Sequence, residues 1–404
     1  MKIVIAPDSF KGSLTSAQAI DVITRAAEEA FPGANVVGLP IADGGEGSAE
    51  ALVRATGGKM HTYRVRGPLG APVEARWGEI PGWDDNGAPL PIAIVEAAQA
   101  SGLALLEPDA LDPLEASSYG TGEVLAHVMA RGYTHVVMAL GGSATNDGGA
   151  GMLQALGAIF SDERGQELPG CGGALGDMAK IDLSDLRPEI QDTHISVLCD
   201  VRAPLLGPRG ATAVFGPQKG VTPDLMPFLE HGMESYARTL SRAIEFNRTG
   251  EFRPFGGYAL HEAAALAGSG AAGGMGFALV AALGAKLLPG VENILDMLDF
   301  SRVIAGASLV VTGEGRLDEQ SFQGKAVEGM ARRCADADVP LLVLAGSLGA
   351  FDTRAMQRLL PGAGVMAAAR AAEPIETLMA NAEEYLYDAA SRAFALMKLG
   401  RAVL

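Results

Sequence analysis

The stretch Ala139-Leu-Gly-Gly-Ser-Ala-Thr-Asn-Asp-Gly-Gly-Ala-Gly-Met152 follows the apolar run Thr134–Leu140 and precedes a small-residue helical pattern. It reads as a strand, an anion-cradling turn and the start of a helix. Successive glycines let backbone N–H groups face one point, and a helix N-terminus adds partial positive charge, so a phosphate or carboxylate binds there without a cationic side chain. Asn146 and Asp147 add an amide and a carboxylate at the same turn. Similar clusters recur along the chain: Pro7-Asp-Ser-Phe-Lys-Gly-Ser13, Ala42-Asp-Gly-Gly-Glu-Gly-Ser48, Ser118-Tyr-Gly-Thr-Gly122, Phe215-Gly-Pro-Gln-Lys-Gly220 and Thr312-Gly-Glu-Gly-Arg-Leu-Asp-Glu-Gln-Ser-Phe-Gln-Gly-Lys325, with Asp200 directly after an apolar strand. Several aspartates, isolated lysines and repeated backbone anion sites are the inventory of phosphoryl transfer. Lysines and N–H groups hold phosphates, carboxylates hold Mg²⁺, and one carboxylate accepts the proton of the attacking hydroxyl.

In an open parallel sheet, ligands bind outside the carboxyl ends of the strands, so these clusters have to sit just after strands. The patterning supplies them. Strands are predicted at Lys2–Ala6 and Val36–Ile41, with helices at Thr15–Ala30 and Gly47–Ala55, a βαβα opening that implies a covered parallel sheet. The last third resumes that grammar: strands at Ala307–Thr312, Pro340–Ala345 and Gly364–Ala368, and helices at Lys325–Ala335, near Arg354–Leu360 and at Ile375–Met397. Between them, Tyr63–Ile94 suits short antiparallel strands with an exposed loop at 82–91. Helices at Gly122–Ala130, Pro223–Asn247, Gly257–Ala267 and Ala271–Leu287 and a strand at Thr193–Cys199 follow. The expected fold is α/β: a doubly wound, Rossmann-like parallel-sheet domain (1–62 and 290–404) with a second α/β domain (63–289) inserted in it, and the cleft between them as the expected ligand site.

Composition narrows the partners. A chain of 404 residues exceeds the size at which one core usually keeps growing. A formal charge of −17 argues against nucleic acid or an anionic membrane, and requires any anionic substrate to find a local positive site. Cys171, Cys199 and Cys334 form no metal spacing, the N-terminus reads as a first strand, and no apolar run is long enough to span a bilayer, so a cytoplasmic enzyme is expected. Oligomeric state is not encoded legibly. The six histidines lie mostly away from the glycine turns, which disfavours Ser-His-Asp hydrolysis and zinc chemistry. Gly268-Ser-Gly-Ala-Ala-Gly273 matches a dinucleotide fingerprint as a string but follows a helical segment, so it reads as a closely packed helix-to-helix turn. Gly324-Lys-Ala326 lacks the rest of a Walker A loop.

Five of these motifs, Ile-Ala-Pro-Asp-Ser-Phe-Lys-Gly-Ser, Ala-Asp-Gly-Gly-Glu-Gly, Gly-Gly-Ser-Ala-Thr-Asn-Asp-Gly-Gly, Phe-Gly-Pro-Gln-Lys-Gly and Thr-Gly-Glu-Gly-Arg-Leu-Asp, occur in this order across essentially the whole chain. Together they resemble the bacterial glycerate kinase family of the glyoxylate and glucarate pathways. The resemblance implies ATP-dependent phosphorylation of D-glycerate, usually to 2-phosphoglycerate with 3-phosphoglycerate as the other outcome, with Mg²⁺ as the metal. Under it, Asp8, Lys11 and Asp200 are the catalytic candidates, with Asp8 and Asp200 unranked as proton acceptor. Ser9, Asp43, Gly44, Gly45, Glu46 and Arg66 are candidates for holding glycerate. Gly141, Gly142, Ser143, Asn146, Asp147, Lys219, Glu314, Asp318 and Lys325, with Arg316 beside them, are candidates for phosphates, and Asp200 and Asp318 for the metal. A kinase for another small hydroxy acid, or a non-catalytic anion-binding protein of the same fold, would share these motifs. The chain departs from the family pattern at Arg202-Ala203-Pro204, where the family tends to carry Asn before Pro, and in the loop from Gly82 to Leu90.

Overall fold

The computed structural model describes residues 1–41, 44–45, 47–84, 86–247, 260–318, 321, 326–349, 360, 362–371 and 373–403. Its strands are β1 (Lys2–Ile5), β2 (Asn35–Gly38), β3 (Lys59–Arg66), β4 (Pro72–Ile80), β5 (Ile92–Glu96), β6 (His135–Ala139), β7 (Ile159–Ser161), β8 (Lys180–Asp182), β9 (His194–Leu198), β10 (Lys286–Leu288), β11 (Leu309–Leu317), β12 (Leu341–Leu348) and β13 (Ala363–Ala367). The chain divides into two compact units, one of Met1–Asp43, Arg54–Thr56 and Gly290–Leu404, the other of Gly44–Val53 and Gly57–Pro289.

The first unit is built on a five-stranded sheet of order β13-β12-β11-β1-β2, with every pairing parallel. Continuous burial of Ile3, Val4 and Ile5 and of Leu341–Ala345 fits strands covered on both faces. Helices Ser16–Ala30 and Ala382–Val403 supply one apolar layer, with Ile20, Ile23, Leu386 and Phe394 packed against Ile3, Ile5 and Leu344. The first of these helices starts where the sequence signals it: Thr15 Oγ1 accepts from the Gln18 amide at 3.2 Å and Gln18 Oε1 accepts from the Thr15 amide at 2.9 Å, a reciprocal cap. Because the chain adds β2 on one side of β1 and β11 to β13 on the other, the order reverses between β1 and β11. A doubly wound sheet binds ligands at that reversal.

The second unit carries a six-stranded sheet of order β10-β9-β6-β5-β4-β3. From β10 to β5 the pairings are parallel, and β4 and β3 add an antiparallel hairpin. The loop after β4 leaves Trp83 68% exposed and is closed by a Trp83–Pro89 bridge and by Asp84 Oδ1, which accepts from the amides of Asn86 and Ala88. Trp77 of β4 is fully buried, stacked on His61 and edge-on to Tyr133.

Four expectations change. The helix expected over Ala271–Leu287 ends at Leu283, because Lys286–Leu288 pairs with β9 as strand β10. The strand expected to end at Thr312 runs to Leu317, because β11 keeps pairing with β12 as far as Leu317–Leu348, so Glu314 and Arg316 are strand residues and not turn residues. Ser118-Tyr-Gly-Thr-Gly122 is not a strand-end turn but the start of helix Tyr119–Ala130, where a Cβ on Gly120 would collide with the Arg66 carbonyl and one on Gly122 with the Met152 carbonyl. The final helix breaks at Asn381 into Ile375–Ala380 and Ala382–Val403. Most of the short helix expected near Arg354–Leu360 lies outside the described residues. Among the described residues no helix is long and apolar enough to cross a membrane.

Candidate active site

In the first unit, the candidate residues collect at the carboxyl ends of β1 and β11. The Asp8 amide donates to the Gly313 carbonyl at 2.9 Å, and Asp8 Oδ1 accepts from the Ser9 amide at 2.6 Å, which fixes the carboxylate at the head of the turn. The turn lies against β11 where that strand has no side chains: a Cβ on Gly315 would sit 3.4 Å from the Lys11 amide nitrogen, and one on Gly313 3.2 Å from the Phe10 ring. Ser16 Oγ donates to the Pro7 carbonyl at 2.7 Å, and the buried Thr312 hydroxyl donates to the Ala6 carbonyl at 2.9 Å. Lys11 is exposed, Asp8, Ser9 and Glu314 are half-buried, and Arg316 Nε lies 3.5 Å from Asp318 Oδ2. Asp8, Ser9, Lys11, Glu314 and Asp318 therefore share one sheet edge, at the reversal of strand order. Asp43, Glu46 and Lys325 lie outside the described residues.

In the second unit, the turn after β6 is the centre. Gly141 and Gly142 are exposed, whereas Ser143 through Gly149 are buried. Gly148 and Gly149 take φ of +63° and +76°, which side-chain-bearing residues rarely adopt. Asp147 is fully buried: Oδ2 accepts from the Ser118 amide and hydroxyl, each at 2.7 Å, and from the Gly151 amide at 3.2 Å, while Oδ1 accepts from the Gly149 amide at 3.0 Å. Burial pushes this carboxyl above its ordinary range, and the Ser118 and glycine donors pull the other way. All four contacts are donors, so Asp147 meets its surroundings as an acceptor. Asp147 is thus spent on holding the cradle and is not a side chain that lines it.

Lys219 departs further from its ordinary reading as a solvated lysine. It is 3% exposed, and Nζ donates to Ser143 Oγ at 2.9 Å and to the Thr145 carbonyl at 2.7 Å. Burial lowers its pKa to about 7, against the pull of Asp147. Asn146 Nδ2 donates to Thr212 Oγ1 at 3.2 Å, while the buried Asn146 Oδ1 and Thr145 Oγ1 have no partner among the described residues, so the turn retains polar capacity for a ligand or water.

Gly44 and Gly45 reach the same edge. A Cβ on Gly44 would lie 3.1 Å from Leu198 Cβ at the end of β9, and one on Gly141 would lie 2.7 Å from Gly45 Cα, so the two glycine turns touch backbone to backbone. Half-buried Asp200 follows β9 on this edge. Arg66 stands apart from these turns: its guanidinium lies over the Tyr119 ring at 4.0 Å, its Nε is 3.7 Å from Glu123, and its side chain is 58% exposed. That is the environment of a strand-end surface arginine.

Sequence reasoning missed the supports. Glu96, 3% exposed at the end of β5, accepts from the amides of Gly47 (3.1 Å) and Ala49 (2.6 Å) and holds the start of helix Ser48–Thr56. The strand-end rule that selects Asp200 also selects Glu96. The segment Ala272–Gly274 is left-handed at three successive residues, and the Gly273 carbonyl accepts from the Gly148 amide at 2.9 Å; a Cβ on Gly273 would collide with the Thr145 carbonyl. The false dinucleotide string is therefore a close-packed brace under the cradle. At the family departure, the Ala203 carbonyl accepts from the Gly268 and Gly270 amides at 3.2 and 3.0 Å, so this contact runs through the backbone and survives the loss of an amide side chain.

Among the described residues no three His, Cys, Asp or Glu side chains gather as a metal cage. Mg²⁺ held through one or two carboxylates plus substrate phosphates needs none, and Asp200 or Asp318 fits that mode as a single strand-end acid.

A family model described as the glycerate kinase family matches residues 3–398. The chain is 39% identical over 401 residues to a glycerate kinase of Bacillus subtilis (strain 168), covering 99% of each chain. It is 42% identical over 348 residues to a glycerate 2-kinase of Escherichia coli (strain K12), covering 86% of each. A crystal structure from Salmonella typhimurium LT2, assigned to glycerate kinase 2, superposes with a TM-score of 0.79 at 39% identity, covering 100% of this chain and 99% of that one.

Proposed function

The chain belongs to the glycerate kinase family, and from that premise we propose that it transfers the γ-phosphoryl group of ATP to D-glycerate, giving 2-phosphoglycerate. It is a glycerate-phosphorylating enzyme. The 2-position is supported by the relative named a glycerate 2-kinase. The observation that carries the reading from this chain's own atoms is the Gly141–Asn146 turn, an anion cradle whose shape is fixed from behind by Asp147 and Lys219. In this reading Gly141, Gly142, Ser143 and Asn146 hold a phosphate, and Gly44 and Gly45 belong to the same edge. Asp8 or Asp200 takes the hydroxyl proton of glycerate, Ser9 orients the substrate, and Lys11 meets the transferring group. Glu314 and Asp318, at the reversal of strand order in the first unit, complete the set. Asp43 and Glu46 for glycerate and Lys325 for phosphate remain part of the proposal on sequence grounds. Mg²⁺, when bound through Asp200 or Asp318, neutralises phosphate charge. Arg66 is supported less well, since its guanidinium is already engaged by Tyr119 and Glu123. Dependence on ATP supports a cytoplasmic location.

The test is NADH loss with D-glycerate, ATP and Mg²⁺, coupled through enolase, pyruvate kinase and lactate dehydrogenase, with and without phosphoglycerate mutase and against a glycerate-free blank. Glycerate-dependent loss without mutase is the expected result. Loss that requires mutase moves the product to the 3-position, and no glycerate-dependent loss in either format overturns the reading.

A further inference from the structure

Lys219 lies in the short turn Pro217–Lys219 with its Nζ in the protein interior, where it donates once to Ser143 Oγ and once to the Thr145 carbonyl. Both acceptors belong to the glycine turn. The amino group therefore stands behind Ser143, and its influence on an anion in the turn runs through that hydroxyl. A hydroxyl that accepts from a cation becomes a stronger donor on its other side. The surroundings leave the charge poorly compensated. Asp147, the carboxylate that acts on Lys219, already satisfies four donors. Asp112, on the segment against which Gly220 packs, gives its Oδ1 to the amides of Leu114 and Glu115. From helix Met226–Asn247, Tyr236 is buried within the electrostatic reach of Asp147 and brings a neutral phenol.

We propose that Lys219 is a positioning residue for the phosphate held by the Gly141–Asn146 turn, acting through the Ser143 hydroxyl and taking one proton from solvent onto Nζ as that anion binds. Above pH 7 an empty turn leaves the amine mostly neutral, its two N–H groups matched to its two acceptors. An arriving anion supplies the missing counter-charge and restores the ammonium, which in turn strengthens the Ser143 donor. The inference rests on the kinase reading only in naming the anion as a nucleotide or glycerate phosphate.

Titration calorimetry at pH 8, in two buffers of different ionisation enthalpy, measures the proton count directly. Sulfate, which carries no proton near neutrality, is the first probe and Mg-ATP the second. The parent protein takes up roughly half a proton or more per anion bound, as expected for an amine whose pKa rises from near 7 toward its ordinary value. Lys219→Met and Ser143→Ala each lower affinity roughly ten-fold, the loss of one charge-assisted hydrogen bond, and each removes most of the uptake. The double variant is no weaker than either single one, because both substitutions cut the same path. Ser143→Thr restores the hydroxyl and with it the uptake, and keeps the test usable if Lys219→Met fails to fold. Uptake that persists in Ser143→Ala, additive losses in the double variant, or a parent that binds neither anion would overturn the inference. Glycerate turnover without proton uptake sinks the inference alone, whereas uptake without glycerate turnover sinks the kinase reading and leaves Lys219 in place.

Discussion

A buried carboxylate met only by donors cannot exchange an oxygen for an NH₂ group without setting donor against donor. Asp147→Asn, with N–H or O–H groups at all four contacts, is expected to cost about 2–4 kcal/mol of stability, read from urea unfolding at pH 7. Lys219 gives stability a pH signature of the opposite kind. Its folded pKa, about 7, lies below its unfolded value, so between the two the unfolded chain binds more protons. The penalty of burying the charge is fully present below pH 7 and is relieved as pH rises toward the unfolded value. The urea midpoint of the parent, measured against Lys219→Met, should therefore climb from pH 7 to pH 9.5, and a flat difference would show that the amine is not depressed. For chemistry, Asp8→Asn and Asp200→Asn are the paired variants. The one that is the base loses about 10²-fold or more in kcat, and both staying within about three-fold of the parent would remove the assignment from each. At this scale the sequence displays the types of the residues but not their burial. Lys219 and Asp147 look like any lysine and aspartate in a glycine-rich turn, and only the fold decides that one lies behind a serine and the other beneath a backbone.

Periodicity located most elements because their apolar faces have to meet a core: the capped helix after Thr15 and the strands of the two large sheets other than β10 lie where patterning puts them, whereas β10 falls in the tail of the expected helix Ala271–Leu287. It failed where tertiary pairing overrode local preference. Gly313 and Gly315 read as a loop, yet they keep β11 extended beside β12, because small residues there leave room for the Phe10–Lys11 turn. Glycines in Ser118-Tyr-Gly-Thr-Gly122 likewise read as an anion turn, although their missing side chains serve helix packing. Gly120→Ala should accordingly destabilise by about 3 kcal/mol or more, since a Cβ there meets the Arg66 carbonyl and backbone has to move. Gly273→Ala combines a φ of +66° with a collision against the Thr145 carbonyl that holds Lys219. It should lower stability by about 2–4 kcal/mol and raise the KM for the ligand of the cradle, while a KM unchanged in the folded variant would mean that the brace does not set the turn.

The whole chain carries −17 and both proposed substrates are anions, so its long-range field repels what its local sites attract. Raising ionic strength from about 0.01 M to about 0.15 M shortens the screening length from about 30 Å to about 8 Å. Screening of that kind should raise kcat/KM for glycerate over this range, measured with a neutral-salt series at fixed free Mg²⁺, and a fall would mean that the positive groups near the sites dominate the approach. The domain plan expected from sequence was an insertion with its first boundary at 62/63; the second unit of the structure takes in Gly44–Val53, because Glu96 holds the amides at the start of that helix. A carboxylate reaching across some fifty residues of chain leaves no periodic trace. The two tryptophans carry a last consequence: Trp77, sealed against His61 and Tyr133, and Trp83, open on its loop, both belong to the second unit. When tryptophan alone is excited, the chain's emission follows one unit and is blind to the other. A melt recorded by fluorescence and by circular dichroism on the same sample thus reports whether the halves let go together or in turn.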